Sequence, residues 1–202
     1  MKLYYSPGAC SLSPHIVARE AGVPIEFEKV DLRAHKTEKG ADYMKINPKG
    51  YVPALGLDDG SVLTEGPAIV QYLADQKPAS KLAPAAGTVE RYRLQEWLAF
   101  IGTELHKNFG PLFNPANPDA VKTAAKANIE KRLAYVNEQL ANRQFLLGDT
   151  FTAADAYAFT IINWTNFVGM DLKAYPNVAA YMGRIAGRPK VQEALKAEGL
   201  MK

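Results

Sequence analysis

Apolar and polar positions change their period several times within the first 80 residues, which predicts short strands mixed with helices. Residues 3–5 are a strand candidate, residues 12–21 have helical spacing, and residues 25–28 alternate like a half-buried strand. Two strands that are joined by a helical crossover are expected to lie parallel to each other. This part of the chain therefore begins as an α/β unit.

A hairpin is predicted further along, where the apolar runs 54–57 and 62–64 flank the turn sequence Asp58-Asp59-Gly60. A helix is expected to follow from Pro67 to Asp75, while the stretch before the hairpin shows no clear period. The hairpin adds antiparallel strands, so we expect a mixed four-stranded sheet with helices on its faces.

The rest of the chain has only helical spacing, after a stretch rich in Pro, Ala and Lys. Thr152 is expected to cap one of these helices, with Asp155 reaching back to it as in a capping box. Shorter helices are expected to begin near Pro176 and Pro189. We therefore predict an α/β domain over residues 1–80, a linker over 81–87 and an all-α domain over 88–202.

The composition of the chain mainly excludes certain classes of protein and partner. Of the 202 residues, 48% are hydrophobic and 22% are charged, which is typical of a globular protein. The net charge of +3 comes from scattered Lys and Arg, so no nucleic-acid partner is expected. The longest uncharged stretch has 15 residues, against about 20 for a membrane span, and no membrane partner is expected. The single cysteine excludes an internal disulfide, and we expect a soluble, cytoplasmic protein.

Cys10 is the first candidate for chemistry, because it lies between a predicted strand end and a predicted helix start. Free N–H groups and the positive end of the helix dipole meet there and can lower a thiol pKa to about 3.5–7.5. Such a thiolate could form a mixed disulfide with an external thiol. The alternative is a small apolar side chain in the core, and position alone leaves both open.

Two further segments could hold a peptide-like molecule. A cis Val52–Pro53 bond would turn the main chain of Val52 toward Cys10, where an extended peptide can pair with it; a trans proline is the alternative. The N–H groups near Gly66 can bind a carboxylate while Glu65 binds an ammonium, which suits an α-amino acid. A plain acidic helix cap is the alternative there.

Three polar residues of the first long helix, Thr103, His106 and Lys107, are expected to share one face and could approach an anionic ligand. A solvated helix end is the alternative. Tyr157 and Trp164 have the spacing of core residues, and we interpret them as packing residues. The histidines have no partner at metal-ligand spacing, so no metal site is expected.

In their order and spacing these pieces resemble the bacterial beta-class glutathione S-transferases over the whole chain. The matching stretches are residues 2–12, 52–54, 64–66, 104–107, 152–157, 192–195 and 197–200. The resemblance implies a thioredoxin-like domain that carries glutathione, an all-α domain that carries the second substrate, and a homodimer. It implies no cofactor, since glutathione acts as a co-substrate.

The resemblance also implies roles for single residues. Cys10 would lie by the glutathione sulfur and His106 beside the electrophile pocket, and both would be catalytic. Val52, next to a cis Pro53, would pair with the cysteinyl part of glutathione. The other binding residues would be Glu65 and Gly66 at the γ-glutamyl end, Tyr5 and Ser11 near the sulfur, His35 at the glycyl carboxylate, and Thr103 and Glu104 from the partner subunit. His35 stands where a lysine is common, which would make that contact depend on pH.

The implied activity is conjugation of the glutathione thiolate to small hydrophobic electrophiles in detoxification, with peroxidase or thiol-transferase activity beside it. A thiolate needs hydrogen bonds and positive potential aimed at the sulfur. Two alternatives stay open: a glutathione-dependent disulfide oxidoreductase acting through a Cys10 mixed disulfide, and a non-catalytic carrier of apolar ligands or binder of a protein.

Overall fold

The computed structural model describes residues 1–201. The first part of the chain forms a mixed sheet in the order β3–β2–β1–β4–β5. Its strands are β1 (Lys2–Tyr5), β2 (Glu26–Asp31), β3 (Lys36–Thr37), β4 (Ala54–Gly56) and β5 (Val62–Thr64). β2 lies parallel to β1, and β4 lies antiparallel to both β1 and β5. The crossover and hairpin predictions are confirmed.

Two short elements were not predicted. The sheet has five strands in the described residues, not four, because the two-residue β3 is too short to show a period. The helix α2 (Tyr43–Ile46) is a single turn, started by the Asp42 side chain, which accepts the N–H of Met44. Strand β2 also runs past its predicted end at residue 28, because Lys29 pairs with β1 and residues 30–31 pair with β3. Glu28 within it is buried and pairs with Lys2 at 2.7 Å.

Helices α1 (Leu12–Ala21) and α3 (Gly66–Asp75) cover one face of the sheet. The remaining chain is helical, as predicted. Its α-helices are α4 (Val89–Phe100), α5 (Lys107–Phe113), α6 (Asp119–Gln139), α7 (Ala153–Ile162), α8 (Pro176–Ala186) and α9 (Pro189–Ala197). No helix in residues 1–201 combines the length and the apolar character needed to cross a bilayer.

Helix α7 is the centre of the helical part, and every residue in it is buried. Its start is fixed by Asp155, whose carboxylate accepts the backbone N–H and the hydroxyl of Thr152, each at 2.8 Å. The same carboxylate accepts the N–H of Leu146 and the hydroxyl of Tyr181. Because α7 also packs against α1, the two parts of the chain share one apolar core.

A π-helix over Ile101–His106 joins α4 to α5. A π-turn has one more residue than an α-turn and rotates the side chains that follow it. The expectation that Thr103, His106 and Lys107 share one face used α-helical spacing, and it is wrong here. Thr103 and Lys107 are exposed, whereas His106 is half-buried against α7.

Candidate active site

Cys10 lies in the turn between β1 and α1, where the sheet meets the helical part. Its half-buried Sγ donates a hydrogen bond to the carbonyl of Val52 at 3.2 Å. Burial raises the pKa of the Cys10 thiol to about 12, and the Glu65 carboxylate adds to this. The N–H groups of Cys10 and Ser11 act in the opposite direction but more weakly. Of the two interpretations left open by the sequence, the structure favours the buried side chain, because desolvation outweighs the effect of the helix start on the thiol pKa.

Two side chains of the helical part form hydrogen bonds with the backbone of Gly8, in the loop before Cys10. Its N–H donates to the Glu198 carboxylate at 2.9 Å, and its carbonyl accepts the indole N–H of Trp164 at 2.8 Å. Glu198 is itself buried and bonded to Nδ1 of the buried His15 at 2.9 Å. Gly8 has φ of 73°, a conformation that favours glycine.

The main chain at Val52 leaves one group free. Its carbonyl accepts the Cys10 thiol, while no residue in 1–201 accepts its N–H. The preceding carbonyl, of Tyr51, accepts the Asn47 amide at 2.7 Å and the Tyr43 hydroxyl at 3.0 Å, which fixes the segment. The Val52–Pro53 bond is cis. An extended peptide lying along this segment would find a free donor beside the thiol.

Glu65 and Gly66 begin α3. Glu65 has φ of 71°, uncommon for a residue with a side chain, and its half-exposed carboxylate accepts from Lys49 at 2.5 Å and from the Tyr51 hydroxyl at 2.8 Å. The hydrogen bond from Lys49 is the main cause that lowers the pKa of Glu65. Gly66 is the first residue of α3, so its N–H faces outward along the helix axis. A carboxylate and a helix start thus lie side by side.

His106 ends the π-helix and contacts two aromatic residues that the sequence did not mark as functional. Its Nδ1 lies 2.7 Å from the hydroxyl of Tyr157, and its ring centroid lies 4.9 Å from that of Trp164. Burial lowers the pKa of His106 to about 4; Lys107 adds to the effect and Glu65 opposes it. Burial raises the pKa of Tyr157, with smaller contributions from Cys10 and Glu65. His106 is therefore neutral at physiological pH.

Tyr5 and Ser11, which were expected near the glutathione sulfur, both have contacts within the chain. The Tyr5 ring packs between His15 and Phe27, with centroids 5.8 and 6.4 Å away. The buried Ser11 hydroxyl donates to the carbonyl of Ser6 at 3.2 Å and accepts its N–H at 3.1 Å. Within residues 1–201 neither hydroxyl forms a hydrogen bond with Cys10.

Thr103 and Glu104 have partners within their own chain. The Thr103 hydroxyl donates to the carbonyl of Ala99 at 3.0 Å, and the Glu104 carboxylate pairs with Arg132 of α6. His35 is exposed with φ of 49°, and its ring lies beside Gly50, close to the segment that leads to Val52. Cys10 contacts Val52, Gly66 lies beside Pro53, and the charge of Glu65 acts on the pKa of both Cys10 and His106, so these residues lie in one region. We call this region, where the sheet meets the helical part, the cleft; His35 lies beside Gly50 near it.

Sequence reasoning missed several residues of this cleft. Tyr157 and Trp164 were interpreted as packing residues, and Lys49 and Tyr51 were not singled out at all. A cavity of about 970 Å³ lies elsewhere, between the linker, α4 and α6, and shares no residue with the cleft. In residues 1–201 no three His, Cys, Asp or Glu side chains come together as they would around a metal ion.

Two family models match the chain. One is described as glutathione S-transferase, N-terminal domain, and matches residues 8–76. The other is described as glutathione S-transferase, C-terminal domain, and matches residues 100–189. The two matches fall on the sheet-containing part and on the helical part of the fold.

Individual proteins are similar over nearly the whole length. The chain is 50% identical over 200 residues to the glutathione S-transferase GstA of Escherichia coli O157:H7, covering 99% of this chain and 100% of that protein. Among solved structures it is similar to the bacterial transferase BphK, described as a ternary complex, with a TM-score of 0.98, 56% identity and coverage of 99% and 100%. A sphingomonad glutathione S-transferase in complex with glutathione gives a TM-score of 0.96 at 53% identity, with coverage of 99% and 100%.

Proposed function

The chain belongs to the glutathione S-transferase family, and we propose that it joins the thiolate of glutathione to small hydrophobic electrophiles. One observation carries this proposal: the free N–H of Val52 lies beside the Cys10 thiol, on a segment fixed by Tyr43 and Asn47. A peptide bound there in an extended form places its own sulfur next to Cys10.

Glutathione fits the cleft from both ends of that segment. Its γ-glutamyl ammonium suits the Glu65 carboxylate, and its γ-glutamyl carboxylate suits the N–H of Gly66 at the start of α3. The glycyl carboxylate at the other end would lie near His35, which stands beside Gly50. Thr103 and Glu104 would reach the ligand only from a partner subunit, as further contacts.

The raised pKa of Cys10 favours conjugation over disulfide exchange. A protonated Cys10 can stabilise a neighbouring glutathione thiolate once its S–H turns from the Val52 carbonyl to that sulfur. An attack on a disulfide, in contrast, needs Cys10 itself as thiolate. In conjugation the glutathione sulfur forms the new bond to carbon, and the leaving group departs with the electron pair. Peroxidase and thiol-transferase activities are then minor ones, and the main role is detoxification.

Calorimetric titration with glutathione tests the proposal directly, in parallel with the initial rate of conjugation to an aryl halide. The dipeptide Cys-Gly, which lacks the γ-glutamyl group, serves as the matched ligand. We expect glutathione to bind at millimolar concentration or below and Cys-Gly to bind at least tenfold more weakly. No binding of glutathione would refute the site, and binding without conjugation would favour a non-catalytic carrier.

A homodimer is part of the same proposal. Val89 and Tyr92 on α4 are 68% and 62% exposed, which leaves an apolar face for a second copy. Light scattering should give a particle of twice the 22.1 kDa chain mass, and the single-chain mass at micromolar concentration would contradict the dimer. We also propose the division into domains at residues 81–87, and a cytoplasmic location because the one cysteine suits a reducing compartment.

A further inference from the structure

The hydroxyl of Tyr157 is deeply buried, since the residue is only 2% exposed. Within residues 1–201 its one hydrogen-bond partner is Nδ1 of His106, at 2.7 Å. A tyrosine hydroxyl carries one proton, and buried donors in folded proteins are almost always paired. No carbonyl or carboxylate in the described residues accepts that proton. Tyr157 therefore donates it to His106.

This direction fixes where His106 carries its own proton. A nitrogen that accepts a hydrogen bond is unprotonated, so the proton of the neutral imidazole is on Nε2. Nε2 has no partner in the described part of the chain, and no buried side-chain nitrogen there lacks one. Nε2 is therefore accessible to solvent, while contact with Trp164 holds the ring in place.

We propose that Tyr157 is a positioning residue that fixes the tautomer of His106, so that neutral His106 donates its Nε2–H to the glutathione sulfur instead of removing the proton from it. This inference rests on the proposed function. The thiol proton of glutathione leaves to water in the cleft. The thiolate accepts a hydrogen bond from Nε2–H and a second one from the Cys10 thiol, whose S–H turns to it from the Val52 carbonyl.

A role for His106 as a base conflicts with the same geometry. Protonation would place an N–H on Nδ1, facing the Tyr157 hydroxyl, whose proton would then need another acceptor inside the core. The charged groups near the ring are Lys107 on its own helix segment and Glu65 at the start of α3, and their effects oppose each other. Burial keeps the imidazole neutral.

The tautomer can be measured without any activity. The chain has three histidines, so two-bond ¹⁵N–¹H spectra can be assigned by single substitutions. We expect His106 to be protonated on Nε2 at pH 7, and Tyr157→Phe to give a mixture of tautomers. Tyr181→Phe, which removes another buried hydroxyl bonded to Asp155, should leave the His106 signals unchanged. Protonation on Nδ1 in the wild type, or no change in Tyr157→Phe, would overturn the inference whether or not the protein conjugates glutathione.

Conjugation rates separate a donor from a base. The amide of His106→Gln can still donate but cannot accept a proton at neutral pH, while His106→Ala can do neither. We expect kcat/KM of His106→Gln to stay within about tenfold of the wild type, and that of His106→Ala to fall by about 10²–10³-fold, as for the loss of a donor to developing charge. Equal losses in the two variants would assign His106 as a base and overturn the inference.

Discussion

The Cys10 thiol donates a hydrogen bond of 3.2 Å to the Val52 carbonyl, and burial raises the pKa of this thiol, the only one of the chain. With a pKa of about 12, Cys10 should react slowly with iodoacetamide at pH 7. Because the thiolate is the reactive form, the rate should rise about tenfold per pH unit up to at least pH 9. Mass spectrometry of the alkylated protein gives this rate; a plateau below pH 8 would show a low thiol pKa instead.

Replacement of Cys10 by alanine should separate the two kinds of sulfur chemistry. Cys10→Ala should abolish any mixed disulfide and thiol transfer, which need a protein sulfur, and leave appreciable conjugation with reactive aryl halides. The loss of one donor among several lowers the conjugation rate by about 10²–10³-fold at most. Both rates are measured on a variant whose folding is checked by circular dichroism. A fall of both to background would make Cys10 essential for conjugation, and no change in either would make it structural.

Glu65→Gln should weaken glutathione binding by about 1.5–3 kcal/mol, the usual contribution of a hydrogen bond to a charged group, or about 10- to 100-fold in Kd. The lowered pKa of Glu65 keeps it ionised, so the wild-type affinity should not depend on its titration at neutral pH. Glu193→Gln is the control, because it removes another exposed carboxylate that is bonded to a lysine. Equal affinities of Glu65→Gln and the wild type would leave Glu65 as a helix cap only.

The lowered pKa of His106 should make folding stability fall in acid. Between the ordinary histidine pKa of about 6.5 and the folded value of about 4, the unfolded chain binds a proton that the folded protein excludes. Stability therefore decreases as the pH falls through this window, by a total on the order of 3 kcal/mol at about 1.4 kcal/mol per unit. Urea unfolding at several pH values should show a shallower decrease for His106→Gln than for His35→Gln. Parallel curves would mean that His106 titrates normally.

Gly8→Ala should destabilise the protein by about 1 kcal/mol or more, because φ at this position is 73°, where a residue with a Cβ is strained. Gly110→Ala is the matched control, for which we expect a change in folding stability of the opposite sign. It lies exposed inside α5 with nothing within 4 Å of the added Cβ, so alanine should stabilise the helix by about 0.5–1 kcal/mol. Midpoints of denaturant unfolding measure both changes, and equal midpoints for the two variants would show that position 8 accepts a Cβ without strain.

Local patterns predicted most of the fold but only part of the cleft. The hairpin around Asp58-Asp59-Gly60 and the cap by Thr152 have signals within a few residues, and both are found. The strand β3 and the helix α2 have too few residues for any period. The sequence pattern did not show which side chains of β2 are buried, because Glu28 is one of them. An acidic side chain is expected at an exposed position unless its lysine partner is known.

The site was harder because its contacts join distant parts of the chain. Tyr157 lies 51 residues from His106, and its apolar neighbours on α7 give it the pattern of a core residue. The π-helix at Ile101–His106 has no sequence signal that we recognise, yet it sets the direction of the His106 side chain toward α7. The pKa of Cys10 could not be predicted from the helix start, since burial by residues outside the segment acts against the helix start.

The hydrogen bond from Gly8 to Glu198 spans 190 residues and has a consequence for how the protein is made. During synthesis on the ribosome, the sheet and its two helices emerge long before the segment that contains Glu198. The loop that carries Cys10 therefore waits, with its backbone groups exposed to water, until nearly the whole chain has left the exit tunnel. A fragment that stops before α9 would have a sheet of native sequence and an unfinished sulfur site.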